Sequence, residues 1–220
     1  MAKRVAFSWS TGKDSAFGLW TLLEDPDYEV VALLTTITEH YRRVSLSGVR
    51  EVLLDRQAKA MGLPLIKVWI PPACPNEVYE QRMASALAGE LSGIDHLAFS
   101  DLFLEHVRSY REERLRKVDK LGVFPLWARD TRALAEQMMA QGFQAVVVCV
   151  DPRALDPSFA GRDFNAQFLS DLPKAVDPCG ENGEFHTFVW DAPMYREPID
   201  CRTGEVVTRD GFVFCDVLPN

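Results

Sequence analysis

The sequence predicts an α/β fold: a doubly wound five-stranded parallel sheet followed by a smaller α+β domain. Three observations carry this. The apolar run Val5-Ala6-Phe7 feeds a short glycine-containing turn, Ser10-Thr11-Gly12-Lys13-Asp14-Ser15, which opens directly onto an amphipathic helix. Apolar, β-branched runs then alternate with helix-periodic stripes as far as Trp127, the pattern of strands joined by crossover helices. Beyond Trp127 that rhythm is lost, which sets a boundary near Ala128 between residues 1–128 and 129–220.

The elements follow in order. Ala16, Leu19, Trp20 and Leu23 recur at helical spacing after the turn, and Asp25-Pro26-Asp27 breaks that helix. Glu29 to Thr36 is apolar and β-branched, as in a strand buried on both faces. Val49 to Met61 reads as a helix stopped by Gly62 with Pro64 beyond it, and Leu65 to Ile70 as the third strand. Tyr79, Met83, Ala86, Leu87 and Leu91 line a helical face that leads to a fourth strand at Leu97-Ala98-Phe99. Val107, Leu115, Val118 and Leu121 form the next stripe, closed by Gly122, and Val123 to Trp127 is expected as the fifth strand. In the second part, a helix over Leu134 to Ala140 and a strand over Phe143 to Val150 precede a Pro-, Gly- and Asp-rich stretch from Asp151 to Glu184. That stretch suits the wall of a cleft better than a regular sheet.

Composition bounds the function. The 220 residues are 47% hydrophobic and 25% charged, as in a soluble globular protein. No apolar run is long enough for a membrane span, and Lys3-Arg4 is followed by only Val5-Ala6-Phe7, so a cytoplasmic location without a leader is expected. Five cysteines without a C-x-x-C pair argue against a disulfide framework or a structural zinc site. A net charge of −8 opposes general nucleic-acid binding. The cations from Arg108 to Lys120 are interleaved with Glu112, Glu113 and Asp119, which reads as a solvated helix face with i,i+4 pairs.

The turn after the first strand is an anion site by construction. A helix N-terminus aims unpaired backbone N–H groups and partial positive charge at one point. Gly12 permits close approach, Lys13 supplies a cation, and Ser10 and Ser15 supply hydroxyl donors. Asp14 beside a polyphosphate needs a divalent cation between them, which makes it the expected magnesium partner. The bland alternative is an ordinary capped turn. A Walker loop fails on spacing and a dinucleotide fingerprint is absent.

A second constellation lies at Cys179-Gly180-Glu181-Asn182-Gly183-Glu184-Phe185-His186-Thr187-Phe188. Two readings stand: Asn182-Gly183 as a hairpin turn with solvated carboxylates, or a loop offering acceptors to an amine and ligands to a metal.

The first hexapeptide resembles the S-G-G-x-D-S signature of the PP-loop ATP pyrophosphatases, with Thr11 in place of the first glycine. The two motifs together resemble the diphthine-ammonia ligase family, in which that loop is joined to a late G-E-[GN]-G-E-[FY]-x-T-[FL] loop, here Gly180 to Phe188 in full. The likeness extends through Gly62-Leu63-Pro64-Leu65, Ser100-Asp101, Pro125-Leu126-Trp127 and Asp191-Ala192-Pro193-Met194.

The resemblance implies a Rossmann-like HUP domain that binds ATP and a C-terminal domain that binds substrate. It implies activation of a carboxylate as an acyl-adenylate, with release of pyrophosphate, and its displacement by ammonia. ATP would be held by Ser10, Thr11, Gly12, Lys13, Asp14 and Ser15, with adenine near Leu34 and Thr35. Asp101 would meet magnesium or ribose, its bland reading being a helix N-cap. Gly180, Glu181, Asn182, Gly183, Glu184 and Trp127 would hold substrate and ammonium, with Lys13, Asp14, Glu181 and Glu184 catalytic. Partners implied are ammonia and a carboxylate, either protein-borne diphthine or a small molecule such as a cobamide precursor. Where the family often carries His before the second helix, this chain reads Val44-Ser45-Leu46-Ser47-Gly48-Val49-Arg50. Rival readings are a PP-loop tRNA-modifying enzyme and an ATP-binding sensor without turnover.

Overall fold

The computed structural model describes residues 2–220. β1 (Lys3–Ser8) leads into α1 (Lys13–Leu23), followed by β2 (Tyr28–Thr38), a short β3 (Arg43–Val44), α2 (Glu51–Met61) and β4 (Leu65–Ile70). α3 (Asn76–Ala88), β5 (His96–Ala98), α4 (Glu105–Arg116) and β6 (Leu121–Val123) complete the first sheet. Its five parallel strands lie in the order β4-β2-β1-β5-β6, so the order reverses between β1 and β5. This is the predicted doubly wound sheet, and the crevice beyond the carboxyl ends of β1 and β5 is where such sheets take ligands. β3 adds an antiparallel sixth strand at the far end of β2.

Alternation along β1 divides the core. Val5 and Phe7 pack with Leu33, Leu53 and the second sheet, while Ala6 joins Leu34, Val68, Leu97 and Phe99 beneath the opposite face. The second sheet is antiparallel, in the order β8-β7-β10-β9, built from β7 (Gln144–Val150), β8 (Phe185–Asp191), β9 (Cys201–Arg209) and β10 (Phe212–Pro219). It is preceded by α5 (Thr131–Ala140), whose first turn Asp130 caps by accepting from Ala133 N at 2.8 Å. Between β7 and β8 the chain makes only a 3-10 turn and α6 (Ala166–Asp171). Val147, Phe168, Phe185 and Phe188 belong to the same apolar cluster as Phe7 and Leu33, so one core joins the two sheets.

Some boundaries differ from expectation. β2 runs on to Thr38, so Leu34 and Thr35 lie inside the strand rather than at its end. α2 begins at Glu51 because residues 44–49 are pinched into a turn, with Val44 N donating to Val49 O at 2.8 Å and Gly48 at φ +71°. The fourth helix stops at Arg116, and Leu121 to Val123 is strand instead of helix end, while Pro125 to Trp127 is a turn instead of the fifth strand. Asp119 at φ +54° reverses the chain there. Lys120 is buried, its ammonium donating to the carbonyls of Leu91 and Ile94, so it is no part of a solvated face. The expected i,i+4 pairs do form, Arg108 with Glu112 and Glu113 with Lys117.

Candidate active site

The loop over Ser10 to Ser15 grows out of β1 at the point where the sheet order reverses. Trp9 N donates to Leu34 O at 2.8 Å and Thr35 Oγ1 donates to Trp9 O at 2.9 Å, so both strand residues brace the loop from behind. Thr11 then adopts φ +73°, the left-handed conformation that a glycine would take without strain. Ser10 N donates to Ser15 Oγ at 3.1 Å, curling the loop over the start of α1. At Gly12 the reason for glycine is close approach, since a Cβ there would sit 3.1 Å from the carbonyl oxygen of Thr187.

The late loop closes on itself first. Asp177 Oδ2 accepts from the N–H groups of Cys179 and Glu181, each at 3.0 Å. Gly180 and Gly183 take φ +72° and +87°, and Gly183 N donates to Gly180 O at 3.0 Å. Glu184 is buried, and its Oε1 accepts from Asp177 N and Asn182 Nδ2, both at 3.0 Å. A turn at Asn182-Gly183 is therefore present, though it joins a loop to β8 and not two strands.

The two loops are clasped together. Lys13 N donates to Thr187 Oγ1 at 3.0 Å, and Val189 N donates to Thr11 O at 3.0 Å. The Lys13 ammonium donates to Cys179 O and pairs with Asp14 Oδ2 at 2.7 Å. Gln57 ties the same seam from α2, its Nε2 donating to Thr11 O and Val189 O at 3.1 and 2.7 Å while its Oε1 accepts from Trp9 Nε1 at 2.9 Å. Between the loops lies a cleft of about 180 Å³. Ser10, Gly12 and Asp14 line it from one side, Gly180, Glu181, Gly183 and His186 from the other, and residues 45–47 across its mouth.

Residues 3–122 match the family model described as "Diphthamide synthase N-terminal domain", and residues 130–217 match "Diphthamide synthase C-terminal domain". The chain belongs to the diphthamide synthase family. Among its relatives, the diphthine–ammonia ligases of Bos taurus and Danio rerio are each 25% identical over 97% of this chain and 88% and 92% of their own lengths. The Homo sapiens diphthine–ammonia ligase is 24% identical over the same share of the chain. Among the described residues, no helix is long and apolar enough to cross a membrane.

In this diphthamide synthase family member, several predicted site residues stand differently from expectation. The Lys13 side chain, expected on phosphate, is 1% exposed and lies between the rings of Phe164 and Phe185, at 5.3 and 5.0 Å. Burial works against its charge, but Asp14, Asp177 and the surrounding negative groups outweigh it and hold its pKa above the ordinary lysine value. Asp101 is neither a helix cap nor free, being paired with Arg111 at 2.7 Å. Trp127 packs on Phe124 beneath the Arg108 guanidinium and does not line the cleft; nor do Asn182 and Glu184.

Glu181 bridges to the loop after β5, its Oε1 accepting from Leu102 N at 2.7 Å. Burial, with Asp14 and Asp101 adding repulsion, pushes its pKa up to about 7. His186 is held below the usual imidazole value by burial and by Lys13. The sequence assigns no role to Gln57, nor to Thr187, Ser45 and Ser47, although Thr187 stands within the late motif. Gln57 had a signal, a polar side chain on the same helical stripe as the buried Leu53 and Leu54.

Proposed function

We propose that the chain is an ATP-dependent amide-forming ligase that adenylates a substrate carboxylate, releases pyrophosphate and transfers ammonia to the acyl group. The observation that carries this reading is the clasp between the two loops, which leaves Asp14 and Glu181 lining one cleft. The N-terminus of α1 and the hydroxyl of Ser10 receive the phosphates, while the Ser15 hydroxyl, buried and accepting from Ser10 N, shapes the loop instead of meeting ligand. A magnesium ion fits Asp14. Its Oδ1 is buried without a hydrogen-bond partner while Oδ2 is held by Lys13, and one carboxylate with phosphate oxygens is a normal magnesium environment. When bound, the ion neutralises phosphate charge.

The carboxylate attacks the α-phosphate, which turns a poor electrophile into a mixed anhydride and expels pyrophosphate; ammonia then adds to the acyl carbon and AMP leaves. Glu181, with its pKa near 7, accepts the proton that ammonium gives up as the amine becomes nucleophilic. The relatives' names point to diphthine as the acceptor, and a bacterial relative acting on another carboxylate is the variant of this reading.

Phosphorus NMR of a mixture of protein, ATP, magnesium, ammonium and a diphthine-bearing acceptor tests the reaction. AMP and pyrophosphate, formed only with acceptor present, are the expected products. ADP and phosphate would transfer the chain to kinase-like ligases, and binding without any turnover would favour the sensor reading.

A further inference from the structure

Beside the cleft lies a larger groove of about 380 Å³, formed where the connection between β2 and α2 faces the β9–β10 hairpin. Leu46 and Ser47 line both spaces, so the groove and the cleft adjoin at these two residues. The Ser47 hydroxyl is buried and has no hydrogen-bond partner, although the residue is only 6% exposed. A buried hydroxyl left unpaired costs free energy unless something else satisfies it. Leu46 adds a second anomaly. It adopts φ +70° and is 80% exposed, so the chain bears backbone strain in order to hold an apolar side chain in water where the two spaces meet.

The groove is rigidly framed. Asp216 on β10 takes Arg43 at 2.9 Å and Arg50 at 2.6 Å, pinning the turn before α2 to the hairpin. Leu46, Val207 and Phe214 lay an apolar strip along a wall that is otherwise largely polar. Its outer rim is charged and unspent: Arg209 rests over the Tyr41 ring at 5.5 Å without a carboxylate partner among the described residues, and Glu205 and Asp210 there have no basic partner.

We propose that this groove is the subsite for the acyl substrate. It receives a carboxylate carried on an apolar stem, with Leu46 against the stem, the Ser47 hydroxyl donating to the carboxylate as it enters the cleft, and the polar remainder of the substrate at the Arg209 rim. This rests on the ligase reading, which requires a carboxylate to reach the phosphate loop from outside; the groove is spacious and meets that cleft at Leu46 and Ser47.

Val207→Trp fills the groove from an exposed edge strand, where a large aromatic is well tolerated. Its ATP affinity by calorimetry is expected to stay within about twofold of the parent, while KM for the diphthine-bearing acceptor rises about tenfold or more. Ser47→Ala should lower kcat/KM for the acceptor about tenfold, a larger effect than on ATP affinity. Acceptor kinetics unaltered in both variants would overturn the proposal. Should the parent protein not use that acceptor at all, the ligase reading loses its acceptor, and the groove is read by NMR titration with hexanoate in the presence of ATP and magnesium. Shifts centred on residues 44–48 and 205–214, and abolished by Val207→Trp, would support it; shifts elsewhere or none would overturn it.

Discussion

Replacing Lys13 by methionine separates two roles that the sequence motif cannot distinguish. The ammonium makes two charge-assisted contacts, to Asp14 and to the carbonyl of Cys179, each worth about 1.5–3 kcal/mol. Methionine keeps an aliphatic stem between Phe164 and Phe185 and spares the burial of a charge, but leaves both acceptors without their donor. The balance is a loss of about 2–4 kcal/mol. At roughly 2–4 °C per kcal/mol for a chain of this size, Tm should fall by about 4–16 °C. The folded pKa of Lys13 lies above the unfolded value, so this contribution is complete at neutral pH and is lost only as pH rises through the folded value. The assays are thermal denaturation and hydrogen exchange, with amides at 177–189 exchanging faster in the variant even without ATP. Unchanged Tm and exchange, together with weakened ATP binding, would refute the reasoning and return the ammonium to the phosphates.

Glu181→Gln should remove the limb near pH 7 from the pH–rate profile of amide formation while ATP still binds. The folded pKa of Glu181 lies above its unfolded value, so its ionisation costs stability as pH rises from 4.5 to about 7; the variant should gain on the parent in denaturation at pH 8 relative to pH 5. At Thr11 the usual ranking of small residues should invert, with Thr11→Gly more stable than Thr11→Ala by about 1 kcal/mol because only glycine relieves the positive φ. Glu184→Ala should cost about 1–3 kcal/mol by leaving Asp177 N and Asn182 Nδ2 unpaired, while Glu184→Gln, which keeps the accepting oxygen, should melt near the parent.

Much of the sheet was legible because its chemistry is local. Val5-Ala6-Phe7, the turn at Gly12 and the stripe of α1 each announce themselves, and Gly62 does end α2 in the left-handed conformation at φ +69°. β6 was hidden because Leu121 extends the helical spacing of Leu115 and Val118, and only the reversal at Asp119 breaks it. β9 was hidden for a different reason: as an edge strand exposed along most of its length, it carries no alternating apolar pattern. Both motifs of the site could be read, but not which side chains serve the ligand. Lys13 and Glu184 turn toward the protein's own backbone, Lys13 to a carbonyl 166 residues away and Glu184 to the N–H of Asp177 within its own loop.

The clasp also bears on how the molecule is made. The first loop to leave the ribosome is fixed by residues that emerge 166 to 174 positions later, at Cys179 and Thr187. A nascent chain that has completed the parallel sheet has Gln57 on Thr11 O but still lacks the Val189 donor and both partners of Lys13 in the late loop. Separations this long favour slow, late closure. The shape of the loop over residues 10–15 is accordingly a product of the whole chain, and a fragment ending near residue 128 would retain β1 and α1 yet expose to water the face of α1 that β8 covers.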